Sequence, residues 1–386
     1  MKILAVTGIR SEYDYIFSVL NELRKSNHKI KVAVSGAHLS HMHNETWKNI
    51  KSDRFIIADK IDSLISTNRL TQRSKGVSAI INGLTQTVER EDPDILLVDG
   101  DREESIATAI VGNYMQKIVV HIGGGDPASG NADDPLRFAV SKLSHVHCCT
   151  TLKYKHNLIK IGEEKFRIFN TGNPAYINID KVKRIQKKKL FKMLDINNNF
   201  KNYLIIIKHP LSSELDQSYI QMKKSLEAIK FFCKKNNFIA ICIAPNSDPG
   251  SYEMTEAIKE FLGEKWLYYF KTLPRDKFIN LVKNAKVLVG NSSMGILEAP
   301  HYKLPVVNIG NRQVGRLNAG NVKFTNYTMQ KIVKALEYSC FNIKYINRIK
   351  KLKNPYGDSS AAKKIRLAIE SIDLNDKKWL VKKELC

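Results

Sequence analysis

The sequence predicts two doubly wound α/β domains arranged in tandem. The chain has 386 residues, 43% of them hydrophobic, which is enough for two hydrophobic cores. Short, continuously apolar runs alternate with helical patterns, as is typical of a parallel sheet covered by helices on both faces. A charged stretch from about residue 177 to residue 202 separates two series of such runs.

The first series starts at residues 2–8, KILAVTG, an apolar run that ends in glycine and precedes a helical pattern. The same order of strand, polar turn and helix then repeats. The predicted strands are 2–8, 30–36, 94–101, 117–126 and 145–150, with helices near 43–51 and from Glu103, Asp134 and Leu152.

The second series predicts a domain of the same kind, with strands at 203–210, 238–246, 266–270, 286–293 and 305–312. The predicted boundaries are 1–176 for the first domain, 177–358 for the second and 359–386 for a C-terminal helical segment. This segment can pack back on the first domain, because the helix near 359–372 has apolar residues at helical spacing. They are Ala362, Ile365, Leu367 and Ile369.

Composition and charge limit the functional class. No apolar run is long enough to span a membrane, and the six cysteines show no metal-binding spacing, so we expect a cytoplasmic protein with reduced thiols and no metal site. The net charge of +24 leaves a nucleic-acid-binding protein as an alternative. The lysine-rich runs 181–192 and 344–353 lack the interleaved aromatics of such proteins, which favours a lysine-rich enzyme surface that attracts a polyanionic small substrate.

Polar residues follow the carboxyl ends of the predicted strands, the edge where open parallel sheets bind ligands. Two such edges would form a ligand-binding cleft between the domains. Arg10 lies in such a turn, within a stretch that has neither a GxGxxG fingerprint nor a GK[ST] phosphate loop, and it can bind a phosphate. Asp101 follows a strand in DGDREE, where neighbouring carboxylates can produce a general acid or base. Alternatively, Asp101 only caps the following helix.

The stretch 121–137, HIGGGDPASGNADDPLR, is predicted to be a loop that carries chemistry. Its small residues and carboxylates bury little apolar surface and leave many polar groups to satisfy. A solvated surface loop without a role is the alternative. The candidate residues are His121, Gly124, Gly125 and Arg137 as a substrate loop, and Asp126 and Asp134 as carboxylates.

In the second domain, the sequence GNSSMGILEAP predicts a strand end, two serines and the start of a helix, which together can hold a diphosphate. Glu298, about a turn and a half into that helix, can accept hydrogen bonds from ribose hydroxyls. His209 ends another strand, where an imidazole can contact a phosphate or protonate a leaving group. The predicted nucleotide-binding residues here are Ser292, Ser293, Gly295, Glu298, Arg275 and Arg312.

Taken in order, these motifs resemble those of the hydrolysing branch of the UDP-N-acetylglucosamine 2-epimerases, which start sialic acid and related nonulosonic acid synthesis. The resemblance covers nearly the whole chain and implies a GT-B-like fold. The matching motifs are GIRSEY, GDREE, HIGGGD, DDPLRFAVSKLSHVHCCT, HP, PNSDPGS, GNSSMGILEAP and IGNRQVGR.

The resemblance implies loss of the C2 proton and anti elimination of UDP, followed by addition of water to the glycal, without a metal or redox cofactor. UDP would be bound only as product or ligand, and the enzyme would be a homodimer or homotetramer. The implied acid/base carboxylates are Asp101, Asp126 and Asp134. The implied diphosphate ligands are Arg10, His209, Ser292 and Ser293, with His209 also assisting the leaving group, and Glu298 is the implied ribose ligand.

The chain departs from these relatives in the HIGGGD loop, where they commonly read HIEGGE or HIHGGE. Gly123 removes a side chain, and Asp126 is one methylene shorter than glutamate. These changes leave two substrates open: UDP-N-acetylglucosamine, which would yield N-acetylmannosamine, and a UDP- or GDP-linked 2,4-diacetamido-2,4,6-trideoxyglucose of the legionaminic acid pathway. The alternative enzymes are a non-hydrolysing epimerase and a GT-B glycosyltransferase.

Overall fold

The computed structural model describes residues 1–65, 69, 71–127, 133–197, 200, 202–246 and 248–383. The described residues form two compact units. Unit 1 contains those of 1–127, 133–180 and 356–386, and unit 2 contains those of 181–355. The predicted fold class is confirmed, because each unit is built on a parallel sheet with helices between the strands.

Unit 1 contains a seven-stranded sheet in the order β3-β2-β1-β4-β5-β6-β7. Its strands are β1 (Lys2–Thr7), β2 (Lys29–Ser35), β3 (Ile56–Ile61), β4 (Ile95–Asp99), β5 (Ile118–Ile122), β6 (Val146–Cys149) and β7 (Ile168–Asn170). Its helices are α1 (Arg10–Lys25), α2 (Trp47–Ser52), α3 (Thr71–Glu91), α4 (Glu103–Tyr114), α5 (Asp133–Leu143), α6 (Leu152–Lys160), α7 (Tyr176–Lys181) and α15 (Ala361–Glu370).

Unit 2 contains a six-stranded sheet in the order β10-β9-β8-β11-β12-β13. Its strands are β8 (Asn202–Ile207), β9 (Phe238–Ile243), β10 (Leu267–Phe270), β11 (Val287–Gly290), β12 (Val306–Ile309) and β13 (Val322–Thr325). Its helices are α8 (Lys187–Met193), α9 (Ser218–Asn236), α10 (Ser251–Lys259), α11 (Arg275–Asn284), α12 (Met294–Leu297), α13 (Met329–Phe341) and α14 (Ile343–Lys350).

The central strands are buried on both faces, which explains why they appear in the sequence as continuous apolar runs. In β4, Ile95, Leu96, Leu97 and Val98 are all fully buried. The order of each sheet reverses at one pair of strands, β1 and β4 in unit 1 and β8 and β11 in unit 2. Residues after these strands lie at the switch point of a doubly wound sheet, where such folds bind ligands.

The final helix, α15, belongs to unit 1, where it packs against α1. Ile365 and Ile369 are completely buried in the unit 1 core. Leu367, which the sequence pattern placed on the apolar face, is instead 49% exposed. It lies two positions from each of these isoleucines, so it projects from another side of the helix.

Two further observations concern sequence features outside the sheets. The described cysteines, Cys148, Cys149, Cys233, Cys242 and Cys340, are free and buried. Within the described part of the chain, no helix is long and apolar enough to cross a membrane.

Candidate active site

In unit 1, charged side chains cluster at the end of β4 and in the loop after β5. An ion pair joins the Arg137 guanidinium, on α5, to the carboxylate of Asp101. The other terminal nitrogen of Arg137 donates a hydrogen bond to the Gly123 carbonyl oxygen at 3.0 Å. Arg137 therefore ties the turn after β4 to the glycine loop after β5, and it holds the Asp101 carboxylate beside that loop.

The imidazole of His121 stabilises the same turn. Its Nε2 lies 2.7 Å from the Gly100 carbonyl oxygen, which can only accept, so Nε2 carries the proton. Ser141 Oγ lies 3.3 Å from Nδ1. Burial lowers the pKa of His121 to about 3, so the ring is neutral at neutral pH. This geometry makes His121 a residue that shapes the turn before Asp101, and not a proton donor to a substrate.

The three consecutive glycines allow the loop after β5 to run close to its neighbours. Gly125 has a φ of +77°, and a Cβ there would lie 2.6 Å from the Tyr154 carbonyl oxygen. A Cβ on Gly124 would lie 3.0 Å from His121 Nδ1. A larger residue at Gly125 would be strained and would clash with the backbone, whereas one at Gly124 would require His121 and Ser141 to shift slightly. The run ends at Asp126, whose side chain is buried.

Asp99, the last residue of β4, was not among the predicted site residues. Burial raises its pKa to about 7; the Arg137 guanidinium opposes this shift, and the Asp101 charge adds to it. A carboxyl group that titrates near neutral pH beside an ion-paired carboxylate is suited to proton exchange. Asp134, a predicted acid/base residue, lies on α5, but its side chain falls outside the described atoms.

A second carboxyl pair in unit 1 explains the glycine of the GIRSEY motif. Glu12 accepts a hydrogen bond from the Gly8 N–H at 3.1 Å, and Glu104 accepts one from Ser35 Oγ at 3.0 Å. Burial raises the pKa of both carboxyl groups, and the Glu104 charge adds to the shift of Glu12. A Cβ on Gly8 would lie 1.7 Å from Glu104 Oε1, so a larger residue would have to displace the buried Glu104 carboxyl group. Arg10 is the first residue of α1, and its Nε lies 3.9 Å from Asp14 Oδ2.

In unit 2, the centre of the candidate site is Asn291, which follows β11. Its Oδ1 accepts a hydrogen bond from the His209 N–H at 2.7 Å, and its Nδ2 donates one to the His209 carbonyl oxygen at 2.8 Å. One buried carboxamide thus fixes both main-chain groups of His209, which follows β8. Asn291 belongs to the GNSSMGILEAP motif, but the sequence does not indicate its role, because the residue it holds is 82 positions away.

The His209 ring has a defined proton position. Its Nδ1 lies 3.1 Å from the Asn246 backbone nitrogen, whose N–H donates to it. In the neutral ring the proton is therefore on Nε2, which can donate a hydrogen bond to an anionic ligand. The contact of His209 with a phosphate stays a prediction.

Arg312, after β12, is joined to the same group of residues. Its Nη1 donates to the Asn291 carbonyl oxygen at 3.2 Å, and Gln313 Nε2 donates to the same oxygen at 3.1 Å. Ser292 Oγ accepts a hydrogen bond from the Met294 N–H at 3.4 Å. The strands β8, β11 and β12 are neighbours in the sheet. The turns after their carboxyl ends thus bring together an imidazole, two serine hydroxyls and a guanidinium, those of His209, Ser292, Ser293 and Arg312.

Other predicted residues of unit 2 are placed differently. The helix after Ser293 is α12, a single turn, so Glu298 terminates it and does not lie a turn and a half inside. After the helix, the Ala299 N–H donates a hydrogen bond to the Met294 carbonyl oxygen, and the Leu304 N–H donates one to the Ala299 carbonyl oxygen. Gly295 packs against Val306, since a Cβ there would lie 2.9 Å from its Cγ1. Arg275 begins α11, after the edge strand β10.

The fold and these two clusters define a class of protein: a two-unit α/β protein with carboxylates at the strand ends of one sheet and an imidazole, hydroxyls and a guanidinium at those of the other. A family model for UDP-N-acetylglucosamine 2-epimerase matches residues 21–370. The chain therefore belongs to the UDP-N-acetylglucosamine 2-epimerase family.

Similar proteins agree with this assignment. The chain is 32% identical to the UDP-N,N'-diacetylbacillosamine 2-epimerase (hydrolyzing) of Legionella pneumophila, over 97% of each chain. It is 31% identical to the GDP/UDP-N,N'-diacetylbacillosamine 2-epimerase (hydrolyzing) of Campylobacter jejuni, over 83% of each. The crystal structure of the Neisseria meningitidis UDP-GlcNAc 2-epimerase bound to UDP-GlcNAc has the same fold, with a TM-score of 0.82 and 22% identity over 96% of this chain and 100% of that one.

Proposed function

We propose that this protein is a hydrolysing 2-epimerase of a nucleotide-linked 2-acetamido sugar in nonulosonic acid biosynthesis. The C2 proton leaves, the C1–O bond to the nucleoside diphosphate breaks, and water adds across the glycal. The products are free 2-epimeric sugar and UDP. Neither the elimination nor the addition of water is a redox step, so this route needs no redox cofactor. We propose that it also uses no metal.

The observation that carries this proposal is the group formed by the Asp99 and Asp101 carboxyls and the Arg137 guanidinium at the end of β4. The C2 proton is weakly acidic, so its removal requires a positioned base, and an acid/base group typically contributes ~10²–10⁴ in rate. We assign this chemistry to Asp101, Asp126 and Asp134 as a set. Arg137 holds the Asp101 carboxylate in place. The Asp99 carboxyl group, with its pKa raised to about 7 by burial and by the Asp101 charge, can take up or release a proton near neutral pH.

Unit 2 supplies the groups that the leaving diphosphate needs. His209 can donate from Nε2 to a phosphate oxygen, because its Nδ1 already accepts the Asn246 N–H. Arg312 and the hydroxyls of Ser292 and Ser293 lie in neighbouring turns and can bind the remaining oxygens. Such contacts stabilise the charge that develops as the C1–O bond breaks. Arg10, Arg275, Gly295 and Glu298 remain proposed nucleotide contacts.

Two sugars are candidates for the substrate, and we favour the 2,4-diacetamido-2,4,6-trideoxy sugar. The two hydrolysing relatives described above are named for diacetylbacillosamine. Gly123 also leaves its position without a side chain, next to Arg137 and Asp99. UDP-N-acetylglucosamine is the second candidate, which the name of the matching family favours.

The test is a comparison of both UDP sugars with product analysis. We expect equimolar UDP and free 2-epimeric sugar, with a higher kcat/KM for the diacetamido sugar. A glycosyltransferase would release UDP only when an acceptor is present, and a non-hydrolysing epimerase would leave the sugar attached to UDP. Either of these results would overturn the proposal, and so would a failure of the enzyme to turn over either sugar.

A further inference from the structure

Lys208 is a buried lysine that the proposed reaction does not use. It directly precedes His209 and follows β8, and only 1% of its surface is exposed. Among the described residues, its ammonium nitrogen has no hydrogen-bond partner. The Lys208 ammonium lies over the face of the Tyr327 ring, whose centroid is 5.0 Å from Nζ. A buried ammonium without a hydrogen bond is costly, so its presence requires an explanation.

The neighbouring carboxylate does not fully compensate the charge of the Lys208 ammonium. Burial lowers the pKa of Lys208 to about 7; Glu214 opposes this shift, and the Arg312 guanidinium adds to it. The Glu214 carboxylate, on the 3₁₀ turn Ser212–Gln217, already accepts hydrogen bonds from Asn311 Nδ2 at 2.9 Å and Gln221 Nε2 at 2.6 Å. The Lys208 ammonium is therefore influenced by a carboxylate that is already hydrogen-bonded to two amides and by a second cation.

The position of Lys208 connects it with the anion-binding turns. It lies at the switch point of unit 2, where His209, Asn291 and Arg312 are linked through the Asn291 carboxamide and carbonyl. We propose that Lys208 is a buried cation of the diphosphate site, which takes up a proton when a nucleoside diphosphate binds beside His209 and Arg312. This inference rests on the proposed function, which supplies the diphosphate.

The proposal has a measurable thermodynamic consequence. An opposite charge within a few ångströms raises the pKa of a lysine by about 1–3 units. For a rise of about two units from about 7, Lys208 would take up roughly 0.7 proton per diphosphate at pH 7.5. Because the pKa is higher in the complex, the contribution to affinity is complete below about pH 7 and is lost as the pH rises through about 9. At pH 7.5 it corresponds to about 20-fold in affinity.

The experiment is calorimetric titration of the full-length protein with UDP at pH 7.5, in buffers of different ionisation enthalpy, which counts protons taken up. Wild type is compared with Lys208→Met, which removes the charge and keeps an unbranched apolar stem, and with Lys208→Gln, which removes the charge and keeps a polar end group. Lys187→Met is the matched control, because burial also lowers the pKa of Lys187, but this residue lies on α8. Uridine, which lacks phosphate, is the control ligand. Melting temperatures verify that each variant is folded.

We expect wild type and Lys187→Met to take up about 0.7 proton more per UDP than the two Lys208 variants, and to bind UDP about 20-fold more tightly. Uridine binding should show no such difference. Equal proton uptake in wild type and in a folded Lys208 variant would overturn this inference alone. Failure of wild type to bind UDP would overturn it together with the proposed function.

Discussion

Replacing Asn291 with leucine tests how the unit 2 site holds the backbone of His209. The His209 N–H donates to Asn291 Oδ1 at 2.7 Å, and this side chain is almost completely buried. Without the carboxamide, both main-chain groups of His209 lose their partner. A buried polar group left without a hydrogen bond costs about 1–3 kcal/mol. The amide of His209 should therefore open and exchange with solvent about 5- to 150-fold faster in Asn291→Leu.

Hydrogen exchange of the native protein measures this change directly, either by NMR or from peptides that contain His209. Asn284→Leu is the matched control, because Asn284 Nδ2 also donates to a carbonyl, that of Asn280 on α11, at 2.7 Å. We expect the control to leave the exchange of His209 unchanged and Asn291→Leu also to weaken UDP binding. An exchange rate for His209 equal to that of wild type would refute the assigned role of Asn291.

Three further predictions concern unit 1. Asp101→Asn should keep its affinity for UDP and lose about 10²–10⁴ in kcat, which steady-state kinetics and calorimetry can verify; unchanged turnover would remove Asp101 from the catalytic set. Gly125→Ala should lower the free energy of unfolding by more than the control Gly263→Ala does, because both glycines have positive φ but only Gly125 lies against the Tyr154 carbonyl. Equal losses of unfolding free energy in urea denaturation would contradict this. His121 stays neutral down to about pH 3, whereas an unfolded histidine titrates near 6.5, so the free energy of unfolding should fall as the pH drops below about 6.5. His121→Gln should lessen this loss by up to about 1.4 kcal/mol per pH unit. An identical pH dependence in wild type and variant would argue against the neutral ring.

The sequence predicted the central strands of both sheets but not all the edge strands. Continuous apolar runs mark strands that are buried on both faces. The strands missing from the prediction are β3, β7 and β13, and all three lie at the edge of a sheet. Each is half-exposed, as in β3, where Asp59 and Lys60 interrupt the apolar pattern. Edge strands contact one neighbour only, so their composition carries little of this signal.

Residues at strand ends could be predicted because glycines, carboxylates and serines there do not suit a core. Their contacts could not be, since these depend on pairs far apart in sequence. Asp101 meets Arg137 across 36 positions, and Asn291 meets His209 across 82. Lys208 lies in the predicted strand 203–210, but it was given no role because it is one lysine among many, and only its burial in the fold distinguishes it.

The measurement that tests the central claim most directly is the reaction of the UDP sugars in D₂O, followed by NMR. Elimination and water addition predict one deuterium at C2 of the released, 2-epimeric sugar, together with one UDP per sugar. Free sugar that keeps the original C2 proton and configuration would show simple hydrolysis at C1, without removal of the C2 proton, and would contradict the account.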